Sequence, residues 1–258
     1  MPEMLEIETY RRAAEPVVGR TVAAVDAPDD WYLKRTAVPE VIGALTGARI
    51  VGTRRIGKLL LLDTDGPVLG LRFGMTGRLL VDGGASIDRL EYSSDRNDPA
   101  WDRFRLGFAG GGDLVMRDPR RLGGVELDPD ETALGIDAGA ITLAPFRAFL
   151  RSTRAPLKAA LMNQARLAGL GNLLVDETLW RAGLSPARPA DSLLPTEEAQ
   201  LHRTMRRTLE VLGARGGSHT GDLQPARVRG GRCPRDGEEL QRDTIGGRTT
   251  YWCLHHQR

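Results

Sequence analysis

The chain begins Met1-Pro-Glu-Met-Leu-Glu-Ile-Glu8, and this stretch opens a helical pattern that runs to Gly19. Apolar residues recur on one face over residues 3–18, which predicts an N-terminal helix that a glycine ends. Removal of Met1 would leave Pro2 as a secondary amine at the start of this helix. A free α-amino group titrates near ~8, so part of it is unprotonated at neutral pH and can attack an electrophilic carbon.

Two carboxylates accompany this amine. Glu3 follows Pro2 directly, and Glu6 lies within one helical turn of it. An amine that gains and loses protons beside a carboxylate has the groups needed for covalent and general acid–base catalysis. The alternative is that Pro2 is a first-turn helix proline and the acids merely favour the positive end of the helix dipole.

Length and composition predict a globular protein of two domains. The chain has 258 residues, of which 41% are hydrophobic and 27% charged, which is ordinary for soluble domains. It contains neither an apolar run long enough to span a bilayer nor a basic-then-apolar leader. We therefore expect no membrane partner and a cytoplasmic location.

The charge is unevenly distributed. Residues 145–258 contain 18 Lys or Arg against 11 Asp or Glu, whereas the preceding 144 residues contain 18 against 23. A basic C-terminal half favours a polyanionic partner. The alternative is a general compositional bias, since Arg outnumbers Lys by 33 to 3.

Residues 21–126 consist of short β-rich runs separated by Gly, Asp and Pro, which is typical of a β-sandwich or barrel. Lys58 follows Gly57 at the mouth of a buried apolar strand. Two glycine-bounded loops, Gly74-Met-Thr-Gly77 and residues 118–124, carry Met75 and two arginines. Met75 is either a core plug or, like a Leu beside Arg, a wedge of the kind that separates stacked bases.

Residues 127–144 are acidic and rich in Gly and Ala, which predicts a linker. Four helices are then predicted, over residues 145–152, 156–166, 172–182 and 195–213. The stretch Leu167-Ala-Gly-Leu-Gly-Asn172 joins the second helix to the third. Its glycine amides and helix N-terminus could bind phosphate, or it could be an ordinary helical hairpin turn.

The tail contains both cysteines in two short motifs, Cys233-Pro-Arg-Asp236 and Cys253-Leu-His-His256. Between them, residues 245–252 predict a β-hairpin with Arg248 near its tip. Cysteine, histidine and carboxylate all coordinate zinc, so the set Cys233, Asp236, Cys253 and His256 predicts one structural zinc ion. His255 could replace Asp236, and the alternatives are a reduced cysteine pair or a disulfide.

With these motifs in this order, the chain resembles the bacterial formamidopyrimidine-DNA glycosylase and endonuclease VIII family along nearly its whole length, as a divergent member. The motifs are Pro2-Glu3 with Glu6, Gly57-Lys58, Gly74-Met-Thr-Gly77, Asp118-Pro-Arg-Arg121, Lys158 with Gly169-Leu-Gly-Asn172, and the tail hairpin. The resemblance implies an α+β, multidomain fold. Its parts are a helix-fronted β-sandwich (1–126), a linker (127–144), a helix–two-turns–helix domain (145–226) and a zinc-finger-like β-hairpin (227–258).

The resemblance also implies a bifunctional DNA glycosylase and abasic-site lyase acting on damaged double-stranded DNA, as a nucleoid-associated monomer without a nucleotide cofactor. Pro2 would attack C1′ of the damaged nucleotide as a Schiff-base nucleophile, while Glu3 would shuttle protons with support from Glu6. Chemistry inside a base stack requires extrusion, a wedge and backbone clamps. The residues carried over as phosphate contacts are Lys58, Asn172 and Arg248, and Lys58 is also counted as catalytic with Pro2, Glu3 and Glu6. Lys158 is carried over as a DNA-binding residue, and Met75, Arg120 and Leu122 as gap-filling residues.

Four departures from the family pattern point to altered specificity. Met4-Leu5 replaces the usual proline-containing pair, and Leu122 replaces the aromatic wedge of the formamidopyrimidine branch. Only residues 218–232 separate Gly217 from Cys233, where enzymes acting on 8-oxoguanine place a longer lesion-capping loop. The metal set also differs from four cysteines. We expect the base excision and strand cleavage to be retained. We expect the preferred lesion to shift from 8-oxoguanine towards oxidised pyrimidines, abasic sites or bulkier adducts.

Two other function classes compete with this prediction. A non-catalytic damaged-DNA-binding or sensor protein could use the same scaffold, and retention of Met1 would favour it because the amine of Pro2 would be blocked. A metal-dependent nuclease is disfavoured, because the metal-like cluster lies far in sequence from the N-terminal acids.

Overall fold

The computed structural model describes residues 2–87, 90, 96 and 98–258. The chain divides into two compact units, one ending at Glu131 and the other comprising Thr132–Arg258. Among the described residues, no helix combines the length and apolar character needed to cross a membrane.

The described part of the first unit contains two α-helices and nine strands. In chain order they are α1 (Met4–Ala14), β1 (Val22–Asp26), α2 (Val38–Leu45), β2 (Ile50–Ile56), β3 (Leu59–Thr64), β4 (Leu69–Arg72), β5 (Arg78–Val81), β6 (Gly84–Ala85), β7 (Asp102–Phe108), β8 (Asp113–Arg117) and β9 (Gly124–Leu127). Short 3-10 turns occupy Glu15–Val17, Asp30–Tyr32 and Pro99–Trp101, and another at Glu131–Ala133 spans the boundary between the units.

The strands form two antiparallel sheets with a shared core. One sheet has the order β2-β3-β4-β9 and the other the order β1-β7-β8-β5-β6. Leu60 and Leu71 of the first sheet and Phe104 and Met116 of the second belong to one buried apolar cluster. Burial of apolar side chains from both sheets is the main force holding such a sandwich together. The predicted β-sandwich is confirmed.

Helix α1 fronts this sandwich, as predicted. Ile7, Tyr10 and Ala14 are spaced along one helical face and are completely buried in the shared core. The Tyr10 ring lies 4.5 Å from that of Phe73. The α-helix ends at Ala14 rather than at residue 18, because Pro16 lacks an N–H and its ring opposes a continued helix.

One end of the sandwich collects the loops that carry the predicted site residues. Ile56 pairs with Leu59 across the two-residue turn that contains Lys58. The ladder continues from Leu59 to Arg72 and from Arg72 to Gly124. In the other sheet Arg78 pairs with Arg117, so the loops 73–77 and 118–123 both cross between the sheets at this end.

The second unit contains four α-helices and two small sheets. Its elements are α3 (Leu143–Arg151), α4 (Leu157–Leu161), α5 (Asn172–Ala182), α6 (Pro195–Arg215), β10 (Ile136–Asp137), β11 (Leu167–Ala168), β12 (Gln241–Ile245) and β13 (Arg248–Trp252). Strands β10 and β11 are parallel, and β12 and β13 form the predicted hairpin. Further 3-10 turns lie at Ala190–Ser192, Ser218–Thr220 and Gln224–Ala226.

The predicted domain boundaries can be compared with these units. The predicted linker, residues 127–144, contains the end of β9, strand β10 and the start of α3. Strand β10 pairs with β11 next to the helix–two-turns–helix joint. The C-terminal hairpin contacts α5, and the boundary predicted at residues 226/227 falls inside the second unit.

Candidate functional site

The start of α1 places the candidate nucleophile beside two buried carboxylates. Pro2 immediately precedes Glu3, the N-cap residue of α1. Glu3 is fully buried and Glu6 is 3% exposed. The Glu3 backbone N–H donates to Glu6 Oε2 over 2.8 Å, which satisfies one of the N–H groups that a helix leaves unpaired at its start. Glu6 therefore fixes the backbone next to Pro2.

The turn carrying Lys58 is connected to α1 through an arginine. Arg55 Nε donates to Glu8 Oε2 over 3.3 Å, and Arg55 Nη1 donates to the Gly57 carbonyl over 2.8 Å. Burial disfavours the charged form of Glu8, but its hydrogen bonds and charge interactions with Arg11 and Arg55 prevail and lower its pKa. Glu8 thus remains an anion that fastens the turn to the helix, and Lys58 is half-buried there.

A buried aspartate joins the two loops that carry the candidate wedge. Asp118 is fully buried. Its Oδ1 accepts from Thr76 Oγ1 over 2.5 Å and from the Arg120 N–H over 3.2 Å. Its Oδ2 accepts from the Gly123 N–H over 2.8 Å. One carboxylate therefore holds the loop 73–77 against the loop 118–123.

The close approach of these loops requires glycine at position 74. Gly74 has a φ of +56°, a conformation that L side chains rarely adopt. A Cβ there would lie 2.4 Å from the Leu122 carbonyl carbon. Met75, the next residue, is brought beside the loop that carries Arg120 and Leu122.

The three predicted gap-filling residues consequently lie on two adjoining loops. Leu122 is 49% exposed, Arg120 is exposed and Met75 is half-buried. Arg121 instead turns back, and its guanidinium makes two 2.6 Å hydrogen bonds with the Asp29 carboxylate. Arg121 holds the pKa of Asp29 below its ordinary value, chiefly through these hydrogen bonds.

In the second unit, the helix–two-turns–helix joint places Asn172 at the first position of α5. Gln164 shapes the joint: its Oε1 accepts from the Gly169 N–H over 3.0 Å, and its Nε2 donates to the Leu170 carbonyl over 2.9 Å. Asn172 Oδ1 is buried without a hydrogen-bond partner. The half-buried Asn172 side chain therefore has unused polar capacity beside a helix N-terminus, where an anion is favoured.

The structure places Lys158 differently from the prediction. Its side chain is fully buried, with Nζ 2.7 Å from Asp176 Oδ1. It also donates to the Thr249 carbonyl over 3.1 Å. Asp176 is bound from its other oxygen by Arg227 over 2.9 Å. In this arrangement the ammonium group of Lys158 ties α4 to α5 and to the hairpin, and has no surface to offer to a phosphate.

Arg248 lies at the start of β13, directly after the turn Gly246–Gly247. Its side chain is exposed. The hairpin tip rests on α4, since a Cβ on Gly246 would lie 3.0 Å from Ala159 Cβ. The exposed guanidinium of Arg248 is thus held by a hairpin tip that packs against α4.

The predicted metal ligands converge at the base of the hairpin. Cys233, Asp236, Cys253 and His256 offer ligand atoms within 4.8 Å of one another. Cys233 Sγ lies 3.7 Å from His256 Nδ1, and Asp236 Oδ2 lies 3.0 Å from that nitrogen. A tetrahedral zinc ion with bonds of ~2.0–2.3 Å separates its ligand atoms by roughly 3.3–3.8 Å. The distance from Cys233 to His256 lies within this range and the donor types suit zinc, so this group could hold one metal ion.

Neighbouring groups orient these ligands. His256 Nε2 lies 3.2 Å from the Trp180 carbonyl, which leaves Nδ1 to face the cluster as a metal ligand does. Trp180 Nε1 donates to Cys233 Sγ over 3.3 Å. The alternative ligand His255 is 66% exposed at its side chain and lies outside the group, although its Nδ1 is 3.3 Å from Asp236 Oδ2.

The pKa of Asp236 and the pKa of Cys253 are shifted in opposite directions. Burial disfavours the charged form of Asp236, but hydrogen bonds from the Glu238 N–H and His256 prevail and lower its pKa. Burial raises the pKa of the Cys253 thiol to about 11. A coordinated cation would favour the thiolate and the carboxylate alike.

Sequence reasoning missed several of these partners. Asp118 and Gln164 lie in or next to the predicted loops. The burial of Asp118 and the loop contacts of Gln164, however, depend on the fold. The Asp-Pro pair that opens residues 118–124 is a turn signal that could have drawn attention to Asp118. Nothing in the sequence indicated that Asp176 and Arg227 are partners of Lys158. Asp176 is 18 positions from Lys158, and Arg227 is 69 positions from it.

Two family models match the chain in succession. The formamidopyrimidine-DNA glycosylase N-terminal domain matches residues 1–125. The formamidopyrimidine-DNA glycosylase H2TH domain matches residues 134–222. The two matches coincide closely with the sandwich and with the helices of the second unit.

Curated relatives match over almost their full length. A formamidopyrimidine-DNA glycosylase of Paracoccus denitrificans is 35% identical, with 98% of each chain covered. The protein of the same name from Methylocella silvestris is also 35% identical, with 100% of both chains covered. A third, from Lactobacillus delbrueckii subsp. bulgaricus, is 32% identical over all of both chains.

Solved structures show the same fold. The Lactococcus lactis Fpg in a complex with DNA containing an abasic site has a TM-score of 0.84 and 27% identity, with both chains fully covered. The same protein bound to DNA containing N7-benzyl-Fapy-dG has a TM-score of 0.84 at 26% identity. With two matching family models and full-length relatives, this chain belongs to the formamidopyrimidine-DNA glycosylase family.

Proposed function

We propose that this protein is a bifunctional DNA repair enzyme that excises a damaged base and then cleaves the strand at the abasic site. The observation that carries the proposal is the start of α1, where Pro2 precedes the buried carboxylates Glu3 and Glu6. A binding protein does not need a proline amine at that point. DNA complexes of its structural relatives support damaged DNA as the partner.

In the proposed mechanism, the nitrogen of Pro2 attacks C1′ of the damaged nucleotide once Met1 has been removed. The positive end of the α1 dipole disfavours the protonated amine and so maintains the nucleophile. Glu3 transfers protons at the sugar, and Glu6 holds the Glu3 backbone in place. Bond formation at C1′ breaks the bond to the base, which takes up a proton as it leaves, while the amine loses its own proton. Protonation of O4′ by Glu3 then opens the C1′–O4′ bond and yields the iminium. Removal of a C2′ proton expels the 3′ phosphate and cleaves the strand.

The remaining residues bind and distort the DNA. Lys58, Asn172 and Arg248 would contact phosphates, because a half-buried lysine turn, a helix N-terminus and an exposed arginine tip all suit anions. Met75, Arg120 and Leu122 would occupy the gap that an extruded nucleotide leaves in the duplex. Lys158 would act from within the second unit by supporting the hairpin. We expect one structural zinc ion at the hairpin and a monomeric enzyme that acts on chromosomal DNA.

We further propose that specificity is shifted away from 8-oxoguanine. The short segment between Gly217 and Cys233 is fastened to α5 at several points. Glu177 accepts from the backbone N–H groups of Asp222 and Leu223 over 3.0 and 2.9 Å. Arg227 of the same segment binds Asp176. A segment fixed in this way leaves little chain for a capping loop, which supports a more open lesion pocket.

Borohydride trapping tests the reaction. We expect the wild-type protein to form a reducible adduct with duplex DNA containing one abasic site, and the labelled peptide to begin at Pro2. Pro2→Gly should sharply reduce or redirect trapping while the affinity for the same duplex, measured by fluorescence anisotropy, stays within about two-fold. The matched control is Leu5→Ala, a substitution in α1 that leaves the amine intact.

Two outcomes would count against the mechanism. An adduct on another residue would remove Pro2 from its role. DNA binding without any trapping would favour the sensor protein instead. A panel of duplexes containing 8-oxoguanine, an oxidised pyrimidine or an abasic site then tests specificity, and fastest excision of 8-oxoguanine would contradict the proposed shift.

A further inference from the structure

A tryptophan that no part of the proposed mechanism uses lies on the surface of the first unit. Trp31 is 67% exposed, and among the four tryptophans, all of which the structure describes, it alone is exposed. An indole left in water adds little hydrophobic stabilisation to the fold, and Tyr and Trp are enriched at binding interfaces. Trp31 is therefore a candidate contact residue.

The segment around Trp31 is firmly attached to the sandwich. The neighbouring Tyr32 is fully buried, and the Lys34 N–H donates to the Val125 carbonyl of β9 over 2.7 Å. The Lys34 side chain runs across Gly124, where a Cβ would lie only 2.6 Å from Lys34 Cε. Trp31 is therefore presented on a fixed support rather than on a loose loop.

This support adjoins the loop that carries Leu122. Asp29, two residues before Trp31, binds the guanidinium of Arg121 through two hydrogen bonds. Val125 and Gly124, against which Lys34 packs, directly follow that loop in sequence. The tryptophan is thus continuous with the proposed DNA-binding surface at this end of the sandwich.

Two cations accompany the indole. Lys34 Nζ lies 5.1 Å from the centroid of the Trp31 ring and donates to the Trp31 carbonyl over 2.7 Å. Arg35 is 78% exposed at its side chain, and its Nη1 lies 3.3 Å from the Glu126 carboxylate, which Arg72 also approaches at 3.7 Å. An open hollow of about 520 Å³ is lined by Asp30, Trp31, Leu33, Lys34 and Arg35.

We infer that Trp31, Lys34 and Arg35, here called the Trp31 platform, form an additional DNA subsite that stacks on an unpaired nucleobase. An exposed indole with a cation beside it suits the π-face of any base, and the two cations suit the flanking phosphates. The inference rests on the proposed function, because extrusion of a damaged nucleotide leaves a base without its partner. Asp30, at the rim of the hollow, disfavours a site for free phosphate alone.

Binding to two duplexes of the same sequence tests the platform. One contains a tetrahydrofuran abasic analogue, which leaves the opposite base unpaired, and the other is fully paired. We expect Trp31→Ala to weaken binding to the first duplex at least about five-fold, as stacking contacts do, and binding to the second by less than two-fold. Trp31→Phe should retain most of the affinity, because it keeps an aromatic face.

Fluorescence provides a second measurement on the same samples. The emission lost in Trp31→Phe identifies the signal of Trp31, and this signal should be quenched by the duplex with the unpaired base. The matched control is Val51→Ala on β2, since Val51 is also exposed, at 53%, but lies at the opposite end of that strand from Lys58.

The outcomes separate this inference from the proposed function. If wild-type protein binds and is trapped on DNA, and Trp31→Ala binds both duplexes as wild type does, the platform is overturned and the proposed function stands. Equal weakening on both duplexes would make the patch a phosphate contact and would also overturn base stacking. Failure of the wild-type protein to bind either duplex would overturn the proposed function itself.

Discussion

Lys158 is a basic residue of the helical unit whose charge is satisfied inside the protein. Its ammonium group lies between Asp176 Oδ1 and the Thr249 carbonyl, and Arg227 binds the second oxygen of Asp176. Burial raises the pKa of Asp176, while the two cations oppose that effect. The three charged groups therefore depend on one another, because each alone would be a costly buried charge.

We predict that Lys158→Met destabilises the second unit by about 3 kcal/mol, the lower end expected for breaking a buried ion pair, because Arg227 still faces Asp176. Urea unfolding measures the change. The control is Arg154→Ala, since Arg154 is 94% exposed and pairs with Asp191 at the surface, where a loss below about 1 kcal/mol is expected. If Lys158→Met left stability unchanged and only weakened DNA binding, Lys158 would contact DNA as the sequence predicted.

At the scale of elements, the crossing loops 73–77 and 118–123 depend on the carboxylate of Asp118. It accepts hydrogen bonds from Thr76, from the Arg120 N–H and from the Gly123 N–H. An amide at this position can accept through one oxygen only. Its NH₂ group would then face a donor in one of the two loops.

Asp118→Asn should therefore lower the free energy of unfolding by about 1–3 kcal/mol, the usual cost of leaving a buried polar group unsatisfied. Thr76→Val removes a single hydrogen bond and should cost less. Amide hydrogen exchange at Gly123 reports on the loop directly and should accelerate in the first variant more than in the second. Unchanged exchange in Asp118→Asn would show that the loops are held by other contacts.

The C-terminal hairpin is the second element whose stability can be tested. Because Cys233 and Cys253 are buried with Asp236 and His256 around them, we expect one zinc ion per chain by elemental analysis. Cys233→Ser should abolish the bound metal, and a chelator should lower the thermal midpoint of the wild-type protein. His255→Asn should retain the metal, and its loss in that variant would place His255 among the ligands.

The sequence predicted some elements closely and others poorly, for identifiable reasons. The bounds of α5 were predicted correctly, since Asn172 follows a glycine and Gly183, with a φ of +69°, ends the helix. The helix predicted over residues 156–166 is only Leu157–Leu161, because Gln164 bonds to the following turn instead of continuing the helix. The bounds of α5 depend on local sequence signals, whereas the early end of α4 depends on side-chain contacts of Gln164.

The same distinction applies to the candidate site. The convergence of Cys233, Asp236, Cys253 and His256 could be predicted from the sequence, because these residues lie in two short motifs on either side of one hairpin. The choice between Asp236 and His255 could not. Nor could the burial of Lys158, since its partners Asp176 and Thr249 come from other elements. The sequence also did not predict the exposure of Trp31, because the exposure of a single aromatic residue depends on the folded surface and not on the sequence pattern.

At the scale of the whole molecule, the uneven charge distribution implies a binding reaction that depends on salt. Excess positive charge in residues 145–258 favours release of counterions from DNA. Arg248→Ala should weaken binding to different sequences alike and reduce the slope of log K against log salt by about one. The control is Arg207→Ala, an exposed arginine paired with Glu210 on its own helix. A loss that depended on base sequence would make Arg248 a reader of bases.

The joining of two loops by Asp118 has a kinetic consequence. Met75 and Leu122 belong to separate loops. The Asp118 carboxylate and the contact of Gly74 with the Leu122 backbone nevertheless join these loops, so that the two side chains move together. Their entry into a duplex would then be a single concerted event with one relaxation time. In stopped-flow traces of a fluorescent base beside the lesion, insertion should appear as one exponential phase, and loosening of the shared anchor should divide it into two.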